Sequence, residues 1–111
     1  MDERLSTLID SRHDEVANLT AALIRFPTVN PPGKDYLPCA KMLGDRLKER
    51  GFTVEYIRAE GAPGDNELYP RWNVVARLEG RSPGPCVHFN SHLDVVEAGD
   101  DWTMDPFVGI I

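Results

Sequence analysis

Along the first quarter of the chain Leu5, Leu8, Ile9, Val16, Leu19 and Leu23 fall at helical spacing, with Asp, Glu, Arg and Asn between them. That period lines the apolar side chains along one stripe and predicts an amphipathic helix from Asp2 to Arg25. The pattern weakens at Arg12 and His13, where Ser11 and Asp14 form a fresh capping signal, so a continuous helix and one broken there both fit. Pro27 ends the helix in either case.

Pro27-Thr28-Val29-Asn30-Pro31-Pro32-Gly33 holds three prolines and a glycine, which disfavours helix before each proline and removes backbone donors, so it is expected to be a loop. Asp35 can cap a second helix, with Pro38 tolerated in its first turn and Met42, Leu43 and Leu47 as its buried stripe up to Arg50. Gly51 is the expected stop. Strand period follows, with Phe52, Val54 and Tyr56 alternating with Thr53 and Glu55. Gly61 to Pro70 reads as a loop, Trp72, Val74, Ala76 and Leu78 as a second strand, and Gly80 to Pro85 as a turn. Cys86 to Asn90 is expected to be a third strand that ends at Ser91, His92, Leu93 and Asp94. A polar turn from Glu97 to Asp101 leads to Trp102, Asp105-Pro106 and the apolar tail Phe107 to Ile111, which reads as a strand cut short.

Composition narrows the class. The 111 residues are 41% hydrophobic and 27% charged, as in an ordinary globular protein of at most one domain. Twelve Lys and Arg against eighteen Asp and Glu give a net charge of -6, with no basic block, which argues against a nucleic-acid partner. No apolar run approaches the ~20 residues of a membrane span, and Met-Asp-Glu-Arg is unlike a signal peptide, so a cytoplasmic protein is expected. Cys39 and Cys86 belong to no C-x-x-C pair and are expected to be reduced, packed thiols.

With no phosphate loop and no Gly-x-Ser-x-Gly turn, candidate chemistry falls to His, Asp and Glu. His13 lies in a charged helix and reads as a solvated surface residue, and His88 as a packed or edge residue of the third strand. His92 stands where an apolar strand gives way to a loop, the place where ligands gather in α/β sheets. Asp94 follows two residues later, on the same side of an extended backbone, so its carboxylate can meet the imidazole. A carboxylate on one ring nitrogen fixes the tautomer and presents the other nitrogen to a metal. Structural readings stand beside these. Trp102 packs a loop onto the core, Asp100 and Asp101 form a solvated acidic turn, Asp105 braces its loop, and His92 with Asp94 can be no more than a hydrogen-bonded pair.

The run Val87-His88-Phe89-Asn90-Ser91-His92-Leu93-Asp94-Val95-Val96, then Trp102 and Asp105-Pro106-Phe107, resembles the co-catalytic zinc hydrolase family that includes acetylornithine deacetylase, succinyl-diaminopimelate desuccinylase, aminoacylase and carboxypeptidase G. In that family the first metal-ligating histidine stands in His-x-Asp-Val-Val, followed by a short polar turn, a tryptophan and Asp-Pro-Phe. Phe26 to Gly33 resembles the family's loop after the first helix, and Asn73-Val74-Val75-Ala76 its strand before the metal-bearing one. Glu97 departs from the family, standing where many members carry proline.

The resemblance implies an α/β fold: residues 1–111 would be the N-terminal portion of a three-layer αβα, aminopeptidase-like zinc hydrolase domain with a mixed sheet. The rest of that domain and an inserted dimerisation domain would be absent. His92 would ligate one zinc of a pair, with cobalt a possible substitute, and Asp94 would be the catalytic-site carboxylate that orients its imidazole. The bridging aspartate, further carboxylates, a distant histidine and the general-base glutamate of the family would follow Ile111. The implied reaction is hydrolytic deacylation of an N-acyl amino acid or short peptide by a homodimer of the full-length protein. The 111 residues alone would be an inactive fragment. The alternative is a non-catalytic degenerate or interaction module that keeps only the scaffold.

Overall fold

The computed structural model describes residues 2–111 and resolves the N-terminal apolar pattern into two helices, α1 (Glu3–Asp10) and α2 (His13–Ile24). Asp2 caps α1 by accepting the Arg4 N–H at 2.9 Å. The break falls where the pattern weakens, yet Ser11 does not open the second helix. Its N–H donates to the Thr7 carbonyl at 3.0 Å and its hydroxyl to that of Leu8 at 2.7 Å, so it closes α1 by taking up two of the carbonyls left unpaired at a helix end. Arg12 precedes α2 with no side-chain cap and pairs with Glu15 at 2.7 Å.

These helices and Ala98–Ile111 form one compact unit, and Pro27–Glu97 forms another. In the first unit Ala21 is buried, whereas Leu5, Leu8, Ile9 and Val16 are exposed. The stripe is amphipathic in sequence, but none of these four side chains is covered by the described residues. The tail is not a strand. Arg25 donates to the carbonyls of Val108 (3.4 Å) and Gly109 (2.9 Å), and a Cβ on Gly109 would strike the Ala21 carbonyl. The segment is tied to α2 by a side chain and a close approach, with no ladder.

The second unit carries α3 (Tyr36–Glu49), β1 (Thr53–Arg58) and β2 (Trp72–Arg77). Asp35 precedes α3 as expected, but in a left-handed conformation (φ +53) with no side-chain cap. The buried positions of α3 are the small ones, Cys39, Ala40 and Gly44, whereas Met42, Leu43 and Leu47 are half-buried. Gly51, at φ +86, ends the segment as predicted.

The strands pair antiparallel, with Val54 opposite Ala76, Tyr56 opposite Val74 and Arg58 opposite Trp72. These six residues share one partly buried face, and the alternate positions are exposed, as strand period requires. α3 packs on this sheet with Gly44 over Tyr56, so close that a Cβ would run into the phenol. The architecture is α/β, and the described sheet has two strands.

Residues 86–90 form no strand and are exposed. Apolar alternation becomes a strand only when a neighbour completes its ladder, and the described residues offer this segment none. His88 is therefore a solvated residue, and Cys86 is an exposed thiol where a packed one was expected, while Cys39 is buried. No helix among the described residues is long and apolar enough to cross a membrane.

Gly44→Ala is expected to destabilise the protein by ~1–3 kcal/mol, the range for overpacking a filled contact. Thermal unfolding of G44A should show the loss, and adding Tyr56→Phe, which removes the hydroxyl from the collision, should restore part of it.

Candidate metal-ligand site

The proline-rich loop has few backbone donors, and those it keeps are directed at the segment carrying Asp94. Val95 N–H donates to the Thr28 carbonyl at 3.0 Å and Asn30 N–H to the Val95 carbonyl at 2.8 Å, which makes Val29 and Val95 a parallel bridge. The Thr28 side chain, on a residue only 3% exposed, donates to the Leu93 carbonyl at 2.7 Å. Asn30 Nδ2 donates to Asp94 Oδ2 at 2.9 Å. Residues 93–95 are thus held on both backbone and side chain.

His92 is brought to Asp94, as the two-residue spacing anticipated. Its Nδ1 lies 2.8 Å from the Asp94 carbonyl and 3.1 Å from Asp94 Oδ1. A carbonyl and a carboxylate can only accept, so Nδ1 carries the proton and Nε2 the lone pair. The His92 side chain is 83% exposed and that of Asp94 34%, which leaves the free nitrogen open to a ligand.

The Asn30 amide, helped by the charge of His92, holds the Asp94 carboxyl below its ordinary value of 3.8 against the opposing effect of burial. Tyr36, the first residue of α3, has its phenol pushed above 10.0 by burial and then by the Asp94 charge, while Arg71 acts the other way. Arg71 Nη1 donates to the Tyr36 hydroxyl at 2.8 Å, and its guanidinium lies 5.2 Å from the ring centroid.

The other singled-out residues stay apart from this pair. His13 opens α2 beside Asp14, with Nδ1 to Oδ1 at 3.7 Å, and is solvated as expected. Asp100 and Asp101 are exposed, and Asp105 braces its loop by accepting the Phe107 N–H at 2.9 Å. Trp102 does not pack onto the core. It is 58% exposed, and its indole N–H donates to the Ala98 carbonyl at 2.8 Å, satisfied within its own loop. Among the described residues no group of three His, Cys, Asp or Glu side chains could hold a metal ion. His92 therefore fits zinc as one nitrogen ligand, whereas a complete site needs three or four.

Thr28, Asn30, Tyr36 and Arg71 escape sequence reasoning. The one signal for Asn30 is that it is a side-chain amide donor directly before two prolines, where backbone donors are scarce.

Curated relatives place this geometry in a family. The chain is 38% identical over 91 residues to succinyl-diaminopimelate desuccinylase of Variovorax paradoxus, covering 80% of this chain and 22% of that protein. The enzymes so named from Methylobacterium radiotolerans (38% over 101 residues; 88% and 23%) and Bordetella avium (38% over 95 residues; 84% and 22%) match similarly. The chain belongs to the succinyl-diaminopimelate desuccinylase family of deacylases, matching its N-terminal part. It spans between a fifth and a quarter of the length of these relatives, 22% to 23%. No family model matches, and no solved structure matches. Within this desuccinylase family member, the loop that grips Asp94 and the histidine that Asp94 holds lie in one compact unit.

Because the Asp94 pKa is depressed, its contribution to stability is full above the unfolded value of 3.8 and is lost as pH falls through the lower folded value. Asn30→Ala removes the largest cause. The Asp94 carboxyl should then titrate closer to 3.8, and the acid limb of stability should begin at higher pH than in the parent; carboxyl NMR titration with thermal unfolding between pH 5 and 2 measures both.

Proposed function

We propose that the chain is the N-terminal portion of the catalytic domain of a zinc-dependent amide hydrolase that deacylates an N-acyl amino acid, with an acetylated or succinylated diamino acid as the favoured substrate class. The observation that carries this reading is the His92–Asp94 pair, in which Nδ1 is held at 2.8 Å and 3.1 Å by acceptors of Asp94 on a side chain 83% exposed. That arrangement presents Nε2 as a ligand in a fixed tautomer. The desuccinylase names of its relatives support the amide-hydrolase class.

Zinc bound there supplies Lewis acidity that activates water and polarises an amide carbonyl at neutral pH. The chain's own residues bind and orient. His92 contributes one nitrogen, Asp94 holds the proton on Nδ1, and Asn30 keeps the carboxylate ionised and aimed. The remaining ligands and the general base belong, on this reading, to chain beyond residue 111, as do the rest of a three-layer domain and the dimerisation domain of a cytoplasmic homodimer. Cobalt fits the same nitrogen donor. With one ligand, the 111 residues alone are expected to be inactive.

Metal analysis of this chain and of the protein carried to the end of its reading frame tests the proposal. About two zinc ions are expected on the longer protein, with little on the 111 residues, as one ligand set split between them requires. In the longer protein His92→Ala should lose zinc and turnover, and unchanged metal content and rate would defeat the assignment. Asp94→Asn should keep part of the zinc and lose ~10- to 100-fold in affinity or rate, the range for groups that orient a ligand.

A further inference from the structure

Arg71, the residue before β2, is fixed from several sides. Its N–H donates to Asp65 Oδ1 at 2.8 Å, and its carbonyl accepts from Ala59 N–H at 2.8 Å. The guanidinium lies between Gly33 and Gly64, where a Cβ on either glycine would strike it. Both glycines are at positive φ, +99 and +83, so the space the guanidinium fills is open only because these two positions carry no side chain.

Its charge is unusually placed. Nε is buried without a hydrogen-bond partner, and Asp65 spends its oxygens on the Arg71 backbone N–H, Gly61 N–H and the Arg58 guanidinium. Among the described residues the Arg71 guanidinium bonds to no carboxylate; its hydrogen-bond partner is the Tyr36 hydroxyl at 2.8 Å. A part-buried cation resting on a neutral hydroxyl is costly unless a negative group lies beyond it. Asp94 is that group, since its carboxylate acts on the Tyr36 phenol both by charge and by a side-chain hydrogen bond.

The donor and acceptor inventory sets the direction. The Tyr36 oxygen accepts from Arg71, so its own proton is free to donate, and the Asp94 carboxylate beside it can only accept. A hydroxyl that accepts from a cation becomes a stronger donor, as bonds in a chain polarise one another. Asp94 would then be gripped by Asn30 on one side and Tyr36 on another while it faces His92.

We propose that Arg71 and Tyr36 are positioning residues for the Asp94–His92 pair: Arg71 orients the Tyr36 hydroxyl, whose proton donates to the Asp94 carboxylate and fixes its aim at His92 Nδ1. The inference rests on the orienting role of Asp94 given above. Neither residue touches metal or substrate.

The test uses the full-length protein in two states. Without zinc, nitrogen NMR of labelled histidine, with His92 assigned from His92→Ala, reads the tautomer. Tyr36→Phe keeps the ring under the guanidinium and removes only the hydroxyl, and it should move His92 from the Nδ1–H form toward a mixture. With zinc, chelator competition should show affinity weakened about 10-fold in Tyr36→Phe, the lower end for such orienting groups. Arg71→Lys should do the same, because an ammonium lacks the planar fork that meets the hydroxyl. In an Asp94→Asn background Tyr36→Phe should have no further effect, since the route through Asp94 is gone.

The proposal is overturned if Tyr36→Phe leaves the His92 tautomer unchanged while Asp94→Asn alters it, or if Tyr36→Phe weakens zinc equally with and without Asp94. If His92→Ala leaves zinc binding intact, the metal reading fails, and the tautomer measurement alone decides the positioning pair. Should Arg71→Lys not fold, Tyr36→Phe still decides it.

Discussion

The site depends on a clasp between residues 28–30 and 93–95. Two backbone hydrogen bonds, at 2.8 and 3.0 Å, and two side-chain ones, at 2.7 and 2.9 Å, join segments more than sixty positions apart. A loop built on prolines has few N–H groups to offer, and buried backbone groups must be paired. The Asn30 N–H, the Asn30 amide and the Thr28 hydroxyl are donors that survive there, and all three go to residues 93–95. With the clasp in place Asp94 has a fixed orientation, and His92 is ordered through it.

A second constraint links this clasp to the sheet. The Asp65 side chain is 4% exposed, and it gathers the Arg58 guanidinium, the Gly61 N–H and the Arg71 N–H at 2.8 to 3.2 Å. Arg58 lies at the end of β1 and Arg71 just before β2, so one carboxylate closes the connection between paired strands. Its pKa is lowered chiefly by the Arg58 hydrogen bonds, and then by the Arg71 N–H. The same closure sets Arg71 beneath Tyr36. Sheet, connection and Asp94 thereby form one hydrogen-bonded series within the second unit.

What this series can do is limited and specific. It prepares one imidazole nitrogen in one tautomer, and no described group of three ligating side chains accompanies it. Membership in the desuccinylase family agrees with a chain that spans 22% of a relative and carries one prepared ligand. Preparation of a ligand by groups behind it is common in metal centres, because a histidine free to rotate or change tautomer binds more weakly.

Elements with a strong local signal were legible from sequence: the helix period of α2 and α3, the alternation of β1 and β2, the Gly51 stop, the proline loop and the break near Arg12. The His92–Asp94 contact was legible too, because i and i+2 on an extended backbone meet without help from elsewhere. Residues 86–90 misled, since alternation shows what a strand would look like and not whether a neighbour exists to pair with it. The stripe of α1, the cap at Asp35, Trp102 and Cys86 misled for a related reason: an apolar or capping residue is defined by a partner that sequence does not supply. Sequence alone therefore determined the local elements and the histidine–aspartate pair, which arise within a few residues of backbone. Only the tertiary structure decided what grips that pair, because Asn30 reaches Asp94 across 64 positions and Arg71 reaches Tyr36 across 35, and contacts at that separation exist only once the chain has folded back on itself.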